Sequence, residues 1–325
     1  MTEEAPHDDK SLKRALRYTL TPLCIGLMAF LAYRQPEVFA RLLELDPWVF
    51  TVTTLLLAAY FVIYSLRLQL ALEAWTRKSV QRLHFFQLVI LGRLFNTLVP
   101  QMGLIYRGLI LKRSYDIKHS DYIGSQISFA AIDLIINTGT FITIWMIYER
   151  NLPLGIIAAA VYALVIKGLF TLIKKLPLPD QSQDKKILPS VRTLKEQCED
   201  LAKASFYIPF IACSLTSLVI MSAVFSLYFD HLGEPLSIPV IVLFYTLYRM
   251  TFYLTITPGN IGLREIALGA LGTAFSVPVA TASLVALTIR VQSYIVLAAV
   301  GIPLFLYKRK QISAESTRLS NSPSQ

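Results

Sequence analysis

The chain has 325 residues, of which 54% are hydrophobic and 16% charged, and its mean hydropathy is +0.54. Soluble domains carry roughly 25% charged residues, so this composition excludes an ordinary soluble protein; it also excludes a disordered one, which needs low hydrophobicity and high charge. The net charge of +10 does not indicate nucleic acid, because most basic residues flank apolar runs, and Cys24, Cys198 and Cys213 make no disulfide framework.

A bilayer core needs about 20 mostly apolar residues per helix. In chain order the apolar runs long enough are 15–33, 47–70, 122–148, 152–173, 205–229 and 279–307. The first is too long for a cleavable signal peptide and lacks a small-residue cleavage site. Two further runs, 85–111 and 237–277, are interrupted. One break is Leu98-Val99-Pro100-Gln101-Met102-Gly103 and the other is Thr257-Pro258-Gly259-Asn260-Ile261-Gly262. Pro removes a donor and Gly weakens a helix, so each break ends one helix and starts another. Outside these runs, 1–14 is a polar N-terminal segment and 35–45 a short surface helix. Residues 174–204 form a linker with an interfacial helix over 190–203, and 311–325 is a Ser-rich tail read as disordered.

The basic residues set an orientation. Lys10, Lys13, Arg14 and Arg17 precede the first run; Arg77, Lys78 and Arg82, then Lys112, Arg113 and Lys118, flank 85–111; seven more lie in 174–204; and Lys308, Arg309, Lys310 and Arg318 follow the last run. The opposite loops hold only Arg34, Arg41 and Arg150. The positive-inside rule then puts both termini in the cytoplasm. Run 85–111 has basic loops on both sides, so it enters from the cytoplasm and returns; 237–277 enters from outside and returns. The expected fold is an all-α polytopic membrane protein, with about six transmembrane helices, two re-entrant hairpins, and a membrane domain over 15–310. Segments 47–148 and 205–307 then read as an inverted repeat with a site at the midplane. The alternative is two Pro-kinked helices, in which case 237–257 would span by itself.

Ionisable residues inside a bilayer are costly and mark function by default. Arg67 and Lys167 lie near the cytoplasmic ends of their runs and are expected to snorkel. Arg93, Arg107, Arg249, Arg264 and Arg290 lie deeper, accompanied only by Asp133 and Glu265. Ion pairing cannot neutralise this excess; an anionic ligand can, and Arg binds phosphate oxygens in a bidentate fork. Helices restarting after the breaks add free N–H groups and a positive dipole end. The expected substrate-binding residues are therefore Arg107, Arg249, Arg264 and Arg290, with Asp133 and Glu265 supporting them or carrying a proton. Adjacent helical positions point about 100° apart. Arg264 is thus expected to face phosphate while Glu265 reaches Arg249 or Arg290. The competing expectation is that these Arg satisfy loop carbonyls within a rigid bundle.

Enzyme signatures are sparse. His7, His84, His119 and His231 are scattered through loops, and no cluster has metal-ligand spacing. No nucleophile elbow or phosphate-binding Gly loop is present. No metal, cofactor or nucleic-acid partner is expected. Asp133 and Glu265 leave room for intramembrane acid–base chemistry on a lipid headgroup.

Thr257-Pro-Gly-Asn-Ile-Gly-Leu-Arg-Glu265 resembles the Pro-Gly-Gly-x-Gly-x-Arg-Glu signature of the lysylphosphatidylglycerol synthase transmembrane-region family, the flippase-like domain. Asn96-Thr-Leu-Val-Pro100-x-x-Gly103-x-x-x-Arg107-x-x-x-Leu111 resembles its first motif, and Asp133 and Arg290 fall where that family often has Asp and Arg. The resemblance extends over roughly 15–310. The chain departs from it at Leu104 and Ile105, where an acidic residue often follows the Gly, and at Asn260, where a second Gly is usual. The resemblance implies a stand-alone member without the soluble aminoacyl-transferase domain. Its implied role is moving an anionic lipid, a phospholipid or a polyprenyl-phosphate-linked sugar, across a bacterial-type inner membrane. The alternative partner is a cytosolic or membrane lipid-modifying enzyme or glycosyltransferase that docks on 174–204.

Overall fold

The computed structural model describes residues 44–98, 101–149, 204–253 and 262–320, with short helical pieces between 153 and 164. Several expectations fall outside the described residues: the run 15–33, most of 152–173, nearly all of the stretch 35–45, the linker with its interfacial helix at 190–203, and Pro100, Pro258 and Gly259. In chain order the helices are α1 (Pro47–Thr76), α2 (Arg82–Leu98), α3 (Met102–Tyr115), α4 (His119–Tyr148), α5 (Ala204–His231), α6 (Ile238–Met250), α7 (Leu263–Ala274) and α8 (Val279–Ser320), with a 3-10 turn over Thr251–Tyr253. Every element among the described residues is helical.

Four helices, α1, α4, α5 and α8, are long and apolar enough to cross a membrane. Helix α1 starts where Asp46 accepts the Trp48 N–H at 2.8 Å and Pro47 occupies a first-turn position whose N–H would have no helical partner. It ends at Arg77, left-handed with φ 54°. The most apolar stretch of α8 is 44% buried, against 22–28% in the other three, so α8 is the most enclosed of the four. The backbone of α8 continues to Ser320, across most of the stretch that composition reads as a disordered tail. Residues 308–320 contain no Gly or Pro, and extending an existing helix avoids the cost of nucleation.

Both interrupted runs fold as helix, break, helix. Helix α2 has 17 residues and α3 has 14, while α6 has 13 and α7 has 12. At 1.5 Å per residue, the shorter three reach about 20 Å, less than a hydrocarbon core of about 30 Å. The first turn is tight because Gly103 lies against Gly92. A Cβ on Gly103 would stand 1.8 Å from the Gly92 carbonyl oxygen, and the Gly103 N–H donates to Asn96 Oδ1 at 2.7 Å. In the second run the α-helix stops at Met250, short of the Pro258-Gly259 break.

Lipid tails are as apolar as Leu, so helices in a membrane associate by close packing and hydrogen bonds rather than by hydrophobic burial. Gln292 of α8 is one such tie. Its Nε2 group donates among Phe50 O, Thr53 Oγ1 and Thr54 Oγ1 at 2.9, 2.8 and 2.7 Å, and its Oε1 accepts the Tyr228 hydroxyl. This locks α1, α5 and α8 at one level. Two apolar clusters fill the interior. One gathers Phe225, Phe229, Phe244 and Ile289; the other gathers Leu72, Phe85, Leu88 and Phe210. Tyr64 packs against both, and the guanidinium groups of Arg93 and Arg249 lie over its ring.

Candidate functional site: a buried arginine cluster

Asp133, in the middle of α4, is fully buried. Its Oδ1 accepts Arg67 of α1, and its Oδ2 accepts both Arg249 of α6 and the Tyr253 hydroxyl. Arg249 also donates to the Tyr60 hydroxyl at 2.7 Å. One carboxylate thus gathers two guanidinium groups and a phenol from two separate parts of the chain, α1 and the end of α6 with its 3-10 turn. The expectation that Arg67 snorkels to the surface is wrong: it is 1% exposed, bonded to Asp133, with its guanidinium 4.9 Å from the Phe210 ring centroid. Sequence depth places Arg67 near a helix end. Helix α1 itself runs on to Thr76, nine residues past Arg67, so the side chain lies inside the bundle against Asp133 and Phe210.

The second acid, Glu265, has two tasks. Gly262, at φ 84°, precedes α7, and its N–H donates to Glu265 Oε2 at 2.8 Å. This is the capping reach of a third-position Glu back to the start of its helix. The other oxygen lies 3.1 Å from Arg290 Nη2 of α8, although it makes no aligned hydrogen bond there. Glu265 therefore pairs with Arg290 rather than Arg249, and the neighbouring Arg264 points elsewhere.

Arg264 is buried, donates to the Tyr248 hydroxyl at 3.1 Å, and lies 3.8 Å from the Phe252 ring centroid. Arg249 and Arg93 approach the same ring, at 5.3 and 5.8 Å. Arg93 stacks more closely on Tyr64, at 4.0 Å. Arg107 donates to Gly103 O at 3.1 Å, packs across Gly92, the residue before Arg93, and lies 5.9 Å from the Tyr122 ring centroid. The cluster thus joins the two broken runs, since Arg93 and Arg107 come from the first and Arg249 and Arg264 from the second. Stacked guanidinium faces hold position through cation–π attraction and leave N–H edges free. The Nε groups of Arg67, Arg249 and Arg264 have no hydrogen-bond partner among the described residues.

Sequence reasoning missed the aromatic half of the site. Tyr60, Tyr64, Tyr248, Phe252 and Tyr253 sit in apolar runs rich in such residues, and nothing local distinguishes them. The structure separates Phe252 and Tyr253 from the rest, because after Met250 the helix tightens to 3-10 geometry and the step between side chains becomes about 120°.

A cavity of about 320 Å³ opens between α4 and α5 beside this cluster. Arg67 and Asp133 lie at its polar end with Asn137, Ser214 and Tyr245, and Ile211, Leu215 and Leu218 form part of its apolar wall. Ile211 and Leu215 are outwardly exposed on a membrane-length helix. Arg107, Arg249, Arg264 and Arg290 do not line it.

Residues 15–301 match the lysylphosphatidylglycerol synthase TM region. The chain belongs to that family. No curated protein and no solved structure matches it. Membership of this family and four membrane-length apolar helices make the chain an integral membrane protein with a role related to membrane lipid.

Proposed function

We propose that this family member is a lipid flippase that moves an anionic, phosphate-bearing lipid between leaflets, with the phosphate held by the arginine cluster. The observation that carries the reading is the charge imbalance. Arg93, Arg249 and Arg264 gather on the Phe252 ring, Arg67 joins Arg249 on Asp133, Arg290 meets Glu265 and Arg107 packs across Gly92; among the described residues Asp133 and Glu265 are the acids paired with these six. Burying an uncompensated cation costs several kcal/mol, and a bound phosphate removes that cost by accepting the free guanidinium edges. Arg107, Arg249, Arg264 and Arg290 are the proposed phosphate ligands. Asp133 and Glu265 hold Arg249 and Arg290 in register. The cavity between α4 and α5 accepts the lipid tail, because its outer wall faces hydrocarbon and its inner end meets the charges.

In this reading α2–α3 and α6–α7 are re-entrant hairpins in a pseudo-symmetric arrangement of about six spans. Both termini are cytoplasmic, and the membrane is a bacterial-type inner membrane. Helices of 12 to 14 residues and the meeting of the two runs at Phe252 support it. The test is reconstitution of the full chain in vesicles with lipids labelled on one leaflet. Movement of an anionic phospholipid or polyprenyl phosphate by the wild type, lost in Arg264→Ala, supports the flippase. Headgroup conversion without movement would replace it with an intramembrane enzyme, and neither activity without a co-purifying enzyme would replace it with an accessory subunit.

A further inference from the structure

The charge count sets a second constraint, on the substrate itself. Six guanidinium groups face two carboxylates in the cluster, which leaves a surplus of four. Among the described residues the other acids lie in loops or near helix ends, and the sequence of 254–261 contains none. Arg93, Arg107 and Arg264 have no carboxylate partner among the described residues; they are held by a ring, a carbonyl and a hydroxyl. A phosphodiester headgroup carries one negative charge and offers two free oxygens. A phosphomonoester carries about −1.5 to −2 at neutral pH and offers three oxygens, and a diphosphate carries more still.

We infer that the ligand of the cluster is a phosphoryl group with at least two negative charges, a phosphomonoester or a diphosphate, rather than a phosphodiester. The inference rests on the reading that the cluster binds phosphate. It runs against what the family description by itself suggests, because lysylphosphatidylglycerol is a phosphodiester whose lysyl group adds positive charge. A cationic headgroup would be repelled by a surplus of arginine; a dianion held by Arg249 and Arg264, with Arg93 stacked beside them on the Phe252 ring as a further positive charge, would reduce the surplus most. Three guanidinium groups around one ring also match the three oxygens of a monoester better than the two of a diester.

The experiment measures binding by the purified full chain in nanodiscs, without requiring transport. The probes are phosphatidic acid, a polyprenyl diphosphate and phosphatidylglycerol at equal mole fraction, together with free inorganic phosphate and pyrophosphate. Phosphatidic acid and the polyprenyl diphosphate should bind about tenfold or more tightly than phosphatidylglycerol. Displacement of the lipid by pyrophosphate would place recognition in the phosphoryl group; failure to displace it while the lipid preference holds would add the tail to the recognised unit. Arg93→Gln, which removes one charge, should narrow the preference, and Arg93→Lys should keep it. Equal or tighter binding of phosphatidylglycerol by the wild type would overturn the inference whatever the variants do. Flipping of phosphatidylglycerol without this preference would leave the flippase intact and sink the inference; the preference without any flipping would do the reverse.

Discussion

Arg249 reaches Asp133 across 116 residues of sequence, and both are buried to within about 1% of their surface. The pairing sets which way the Arg249 guanidinium points, because its opposite edge then meets Tyr60 and its face meets Phe252. Asp133 binds Arg67 with its other oxygen, so a single carboxylate decides the placement of two cations.

Removing that carboxylate's charge should be severe. Asp133→Asn leaves Arg67 and Arg249 without a counter-ion and should cost about 3–5 kcal/mol, as breaking a buried ion pair does. Thermal unfolding in detergent reads it. The double variant Asp133→Asn with Arg67→Met removes one stranded cation and should recover part of the loss. A double variant no more stable than Asp133→Asn alone would show that Arg67 is not Asp133's energetic partner.

Arg264 and Glu265 should respond differently to conservative change. Arg264→Lys keeps the charge and loses the planar fork that stacks on Phe252 and reaches Tyr248, so transport should fall about tenfold or more while folding persists. Glu265→Gln still has an oxygen for the Gly262 N–H, whereas Glu265→Ala loses the cap, worth about 1 kcal/mol, as well as the Arg290 contact. Melting temperature should therefore fall further in Glu265→Ala than in Glu265→Gln, and the opposite order would refute the capping role.

The two glycines at the first break differ in tolerance. Gly103→Ala would place a methyl group inside the Gly92 carbonyl, at 1.8 Å, and only backbone movement relieves it; Gly92→Ala meets the flexible Arg107 side chain at 3.0 Å. Overpacking typically costs about 1–3 kcal/mol, and Gly103→Ala should lie at or beyond the top of that range. Expression and monodispersity of the two variants give the comparison, with Gly92→Ala expected to behave nearer to wild type.

The hairpin topology predicts opposite accessibility at the first turn and at the link that follows the second hairpin, between α7 and α8. In a background lacking Cys24, Cys198 and Cys213, a cysteine at exposed Ser276 should label from outside. A cysteine at Gln101, also exposed, should not. Labelling of position 276 only from the cytoplasm would invert or abolish the second hairpin.

Much of this protein was legible in one dimension because a bilayer imposes long-range rules on local composition. Apolar length identified α1, α4, α5 and α8, and Pro with Gly located the interruption between α2 and α3. The scarcity of acids in apolar runs singled out Asp133 and Glu265, and the angular offset of neighbouring helical residues separated Arg264 from Glu265. The partners were not legible. Only packing showed that Arg67 belongs to Asp133, that Glu265 takes Arg290, and that Tyr64 and Phe252 carry the guanidinium faces. The physical reason is that a residue's type and depth set what it costs to bury, and these are properties of the chain. What satisfies it comes from other helices, 66 residues away for Arg67 and Asp133, and is decided only when those helices meet.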